Sequence, residues 1–125
     1  MTYLLIVMAH LLMGGAFVVF GLRNIKAVPG LGKALEGRKV PMTATAAQIG
    51  VGLQLVGGVL VFIAPFVPFA GVLGGLALIV FLVLATLLFH PAWEFQGDER
   101  KPHVSAVLMN TCLAGGFLLV LAYGL

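Results

Sequence analysis

The sequence predicts an all-α integral membrane protein, a bundle of four transmembrane helices with a short interfacial helix in its first loop. Composition is the first reason. Of 125 residues, 62% are hydrophobic and 9% charged, whereas soluble domains carry about 25% charged and at most about half apolar residues. A chain this short leaves much of its surface exposed however it folds, so part of its solvent must be lipid. Patterning is the second reason, because the apolar residues fall in runs long enough for roughly 20-residue spans of a hydrocarbon layer about 30 Å thick. The third is charge placement: all seven Lys and Arg, and all four Asp and Glu, lie in residues 23–42 and 90–103.

Residues 3–22 form the first predicted span, with His10 as its one ionisable side chain at depth. No basic residue precedes this run and it is too long for a signal-peptide core, so it is expected to stay in place as a helix. Residues 43–89 contain no Asp, Glu, Lys, Arg or His, too long a stretch for one helix. Pro65 and Pro68 divide it, since proline lacks a backbone donor and disfavours helix in the residue before it. Two helices, about 44–64 and 69–89, joined by a tight hairpin, are therefore predicted. The turn should sit at the interface, because lipid does not tolerate unpaired backbone. Residues 104–123 form the fourth span. Length suits a single domain, 1–125.

The polar segments are short. In residues 29–37, Leu31, Ala34 and Leu35 recur at helical spacing beside Lys33 and Glu36, a pattern suited to a short helix on the membrane surface. Four spans put both charged segments on one face and both termini on the other. The positive-inside rule then makes the charged loops cytoplasmic and the termini non-cytoplasmic. Glu94, Asp98, Glu99, Arg100 and Lys101 read as a solvated turn. The net charge of +3 belongs to these loops and lacks the aromatic interleaving of single-strand binders, so no nucleic-acid partner is expected.

Helices in lipid associate through close contacts between small residues. Such residues recur in every span: Gly14 and Gly15, then Ala46, Gly50, Gly57 and Gly58, then Gly71, Gly74 and Gly75, then Gly115 and Gly116. Cys112 is a lone thiol within a span and reads as a small apolar residue. Nothing in the chain matches the phosphate-binding, zinc-protease, dithiol or serine-hydrolase motifs.

Polar side chains within a membrane are costly and need a partner or a task. The candidates are His10, Gln54, Thr86, His90, Asn110 and Thr111, with Arg23, Asn24, Trp93 and Glu94 at the boundary. By helical rise, Arg23, Thr86, His90 and Trp93 fall near the cytoplasmic interface, Asn110 roughly 9 Å below it, and Gln54 near the middle. His10 lies apart in the outer half. A neutral imidazole can hold a tetrapyrrole metal, but no second histidine stands at matching depth.

Phe89-His90, Trp93, the acidic and basic segment 98–100, Asn110 and Gly115-Gly116 together resemble the DoxX family of small four-helix membrane proteins. The stretches MGGAFVVFGLRN, GRKVP and GLQLVGGVLV resemble the family's first helix, its approach to a proline and its second-helix motif. The resemblance covers nearly the whole chain, and its most distinctive part is Phe89-His90 with Trp93. It departs where the family often has Glu and this chain has Gln54, and where a Lys commonly precedes the Asn and this chain has Met109. Gln54 can hydrogen-bond across helices but cannot titrate.

The resemblance implies a bacterial inner-membrane location and a redox context, since some members belong to a thiosulfate:quinone oxidoreductase. Three functions follow in order: an accessory or structural subunit of a larger redox-linked membrane complex, a quinone-contacting component of a membrane oxidoreductase, and a small transporter or channel. The first implies other membrane subunits or self-association as partners, besides the bilayer. There is no self-contained catalytic constellation and no intrinsic cofactor or metal is expected. A quinone headgroup needs a donor to each carbonyl and an apolar slot for its tail, and His90, Asn110, Thr86, Arg23 and Trp93 form the candidate site. The same residues have a structural reading, with His90 ending a helix before Pro91, Trp93 anchoring the interface and Asn110 joining two helices.

Overall fold

The computed structural model describes residues 1–125. It is all-helical: α1 (Thr2–Ile25), α2 (Val28–Glu36), α3 (Thr43–Ile63), α4 (Ala70–Phe89) and α5 (Arg100–Gly124), with single 3-10 turns at Ala92–Glu94 and Gly97–Glu99. Helices α1, α3, α4 and α5 are long and apolar enough to cross a membrane. Consecutive spans are antiparallel, so both charged segments share one end.

The spans run slightly longer than their apolar cores. Helix α1 continues through Arg23 to Ile25, and α5 begins at Arg100 rather than at residue 104. Pro102 does not prevent this early start, because the first turn of a helix has no intrahelical acceptors for its N–H groups. The hairpin between α3 and α4 holds Pro65 and Pro68, as expected, and Phe69 closes it with φ +63°. Lys39 and Met42 also take positive φ in the turn into α3, a conformation that costs non-glycine residues roughly 1–2 kcal/mol each.

Glycine sets the packing. A side chain on Gly14 would run into the backbone of Phe62 and Gly58, and one on Gly58 into Val18 and Gly14. Backbones approach this closely only where no Cβ intervenes. Gly21 lies against Leu55, so the end of α1 reaches only the middle of α3. The first half of α3 packs on α2 instead. The short amphipathic helix is thus present, but its apolar face turns to the bundle rather than only to lipid: Leu35 is 2% exposed.

The core is small and central. Phe17, Val61, Leu78, Leu82, Phe117 and Val120 form one buried cluster. Phe17 meets Phe117 edge-on with ring centroids 5.2 Å apart, the arrangement that aromatic quadrupoles favour. Most other large apolar side chains are exposed, as expected of surfaces covered by lipid. Cys112 lies on that outer surface.

Candidate functional site

Helices α3 and α4 touch tightly at one end and part at the other. Near the hairpin, Gly57 sits against Leu78, and Gly74 against Leu60 and Val61. Toward the charged end, Ala46, Ala47 and Gly50 present too little side chain to fill the space facing Leu84, Ala85 and Leu88. The result is a cavity of about 600 Å³, bounded by α2, α3 and α4. A Cβ on Gly50 would meet nothing within 4 Å. The cavity opens sideways past Ile49 and Leu84, both exposed on the bundle surface.

The lining is apolar except for Asn24, Gln54 and His90. Gln54 is 5% exposed, and its Oε1 accepts a 2.8 Å hydrogen bond from Asn24 Nδ2. That bond fixes the Gln54 amide and leaves its Nε2 donors without another protein partner, since no further Gln54 side-chain bond exists. The axial offset of α1 creates this pair. By depth along isolated helices Asn24 belongs at the interface and Gln54 at mid-membrane, and the glycine contacts slide one to the other. Within the cavity, Phe81 marks the level of Gln54 on α4, and nine residues separate it from His90. At 1.5 Å per residue the two polar ends lie roughly 13 Å apart.

His90 follows the last turn of α4 and borders the cavity's outer end. Behind it lies His103, with ring centroids 5.6 Å apart, and Phe95 stacks on His103 at 4.0 Å and 13°. The His103 Nδ1 is buried without a hydrogen-bond partner. No group of three or more His, Cys, Asp or Glu side chains gathers to hold a metal.

The five residues grouped at the sequence level divide in the fold. Asn110 Nδ2 donates to Thr86 Oγ1 at 3.0 Å, tying α5 to α4 away from the cavity. Arg23 is exposed and makes no side-chain hydrogen bond or ion pair, and Trp93 is 60% exposed. Only His90 of the five reaches the cavity, where it joins Gln54 and Asn24. Burial of two amides in an apolar chain is the signal that could have found that pair. What sequence could not supply is the register that unites them.

The charged turn is not wholly solvated as expected. Lys101 and Asp98 pair at 2.7 Å in the open. Glu94 instead accepts from Arg38, with both carboxylate oxygens 2.9 Å from one guanidinium nitrogen. Fifty-six residues separate the partners, a pairing no local pattern announces. It fastens the loop after α2 to the 3-10 turn after α4, across the charged end of the cavity.

The chain is 27% identical over 110 residues to the inner membrane protein YphA of Escherichia coli (strain K12), covering 86% of this chain and 74% of that one. The chain is an integral membrane protein. Four spanning helices and an inner-membrane relative agree on this. No family model matches it, and no solved structure matches it either.

Proposed function

We propose that this DoxX-like protein is a quinone-contacting accessory component of a redox-linked complex in the bacterial inner membrane. The observation that carries this reading is the lateral, apolar cavity with a pre-oriented amide at its inner end. Ligand sites are commonly cavities of about 300–1,000 Å³, lined by apolar groups with a few placed polar atoms. A quinone carbonyl accepts a hydrogen bond from Gln54 Nε2, which Asn24 holds in position. The isoprenoid tail lies along Gly50 and Ala46 and leaves between Ile49 and Leu84. The separation of the two polar ends, roughly 13 Å along α4, is longer than one quinone ring, so a single headgroup meets Gln54 or His90 and not both. Binding at Gln54 is favoured because its amide is buried and already anchored.

Neither Gln54 nor Asn24 can carry electrons or change protonation. Electron transfer therefore belongs to a partner, and this chain contributes by holding the quinone. The positive-inside rule orients the cavity's charged end toward the cytoplasm. The reading predicts saturable binding of a short-tailed ubiquinone analogue to the protein in nanodiscs, followed by quenching of its single tryptophan, Trp93. Gly50→Leu places a side chain in the cavity and should abolish the saturable component. Gln54→Leu should weaken it about threefold to tenfold, the worth of one hydrogen bond. Equal saturable quenching in wild type and Gly50→Leu overturns the reading.

A further inference from the structure

A second opening lies at the other end of the bundle. Helices α1 and α5 meet through the rings of Phe17 and Phe117, and between their outer halves lies a groove of about 380 Å³. Leu5, Ala9 and Met13 line it from α1, and Gly116, Leu119 and Tyr123 from α5. His10 faces the same groove and is 4% exposed. It shares no residue with the cavity around Gln54.

The hydrogen bonding of His10 defines what can occupy the groove. Its Nδ1 lies 2.8 Å from the carbonyl oxygen of Ile6, one turn earlier. A carbonyl only accepts, so Nδ1 carries a proton, and in the neutral ring Nε2 is left as an acceptor. That nitrogen has no partner in the chain. The Tyr123 ring stands 5.9 Å away, centroid to centroid, and its hydroxyl makes no hydrogen bond. An acceptor facing an apolar groove with no donor to meet it is unfavourable, and a leucine at the same position would avoid that cost. The complement is a donor brought by an occupant.

Charge narrows the chemistry. No Lys or Arg occurs before residue 23 or after residue 101, and no charged side chain lines the groove. A phosphate headgroup or a tetrapyrrole bearing propionates finds no counter-ion there. We propose that the α1–α5 groove binds an uncharged, membrane-soluble molecule with a hydroxyl that donates to His10 Nε2. A lipid alcohol and a quinol both have this chemistry.

The test uses the full chain in nanodiscs and a long-chain alcohol carrying a photoreactive diazirine. The alcohol should label peptides from the first half of α1 and the end of α5. Its methyl ether, which cannot donate, should label them about threefold to tenfold less. His10→Leu should cause the same loss while keeping helical content, whereas His10→Gln restores an acceptor and should retain labelling. Gly50→Leu should leave labelling unchanged, which separates this groove from the quinone cavity. Competition by unlabelled diacylglycerol or by a ubiquinol analogue then identifies the source of the hydroxyl. Equal labelling by alcohol and ether, or by wild type and His10→Leu, overturns the proposal. So does absent labelling with disulfide-linked dimers of Ala9→Cys in a Cys112→Ala background, which would make the groove a contact between copies.

Discussion

Two glycines seven residues apart on α3 should respond oppositely to one added methyl group. At Gly57 a Cβ would stand 2.8 Å from Leu78 Cγ and 3.3 Å from Ala77 Cβ, inside the tight contact with α4. Leu78 is fully buried in the core and cannot swing aside, so Gly57→Ala forces the helices apart. Overpacking of this kind costs about 1–3 kcal/mol. At Gly50 the same atom enters open space. There Gly50→Ala gains up to about 1 kcal/mol if the reference state loses its helix, and close to nothing if the separated helices persist in the lipid or detergent. Reversible unfolding in mixed micelles, followed by circular dichroism and by Trp93 fluorescence, measures both. The two variants should differ by at least about 1 kcal/mol, with Gly57→Ala the weaker. A Gly50→Ala protein destabilised as much as Gly57→Ala would refute the reasoning, because it would mean that α3 packs at Gly50 instead of bounding a cavity.

Other perturbations read the remaining contacts. A double-mutant cycle over Asn24→Leu and Gln54→Leu should give a coupling near 0.6 kcal/mol and below about 1.7, the range for interhelical hydrogen bonds in membranes; zero coupling would remove the pre-orientation of Gln54. The cycle over Thr86→Val and Asn110→Leu should give a similar coupling, while neither substitution changes quinone binding at the cavity. Glu94→Gln should lower stability by no more than about 1 kcal/mol, since the pair with Arg38 is partly exposed, and the difference should shrink in high salt. Met42→Gly should raise stability by about 1 kcal/mol by relieving its positive φ, measured in the same unfolding assay.

The spans, the proline hairpin and the placement of charge were legible in the sequence for one reason. Each follows from the local cost of putting a charge or an unpaired backbone group into hydrocarbon. The amphipathic pattern around Leu31 and Leu35 likewise announced α2, and the buried amide of Gln54 announced a residue in need of a partner. Grouping Thr86, Asn110, Arg23 and Trp93 with His90 rested on the family resemblance and on depth. Depth gives the level of a residue but not the side of the helix it faces, and in the fold Thr86 and Asn110 turn to each other.

Tertiary structure decided the rest through axial register. Apolar helices can slide past one another with little change in solvation, so hydropathy leaves their offset open. The offset is set where backbones come together without side chains between them, at Gly14 on Gly58 and at Gly57 and Gly74 between α3 and α4. Those contacts carry Asn24 to Gln54, spread α3 from α4 at the charged end, and leave a groove between α1 and α5 beside His10. By itself the sequence determined a four-helix membrane protein with a few polar side chains at depth. Which of them meet, and the openings they border, depended on glycine contacts between segments distant in the chain.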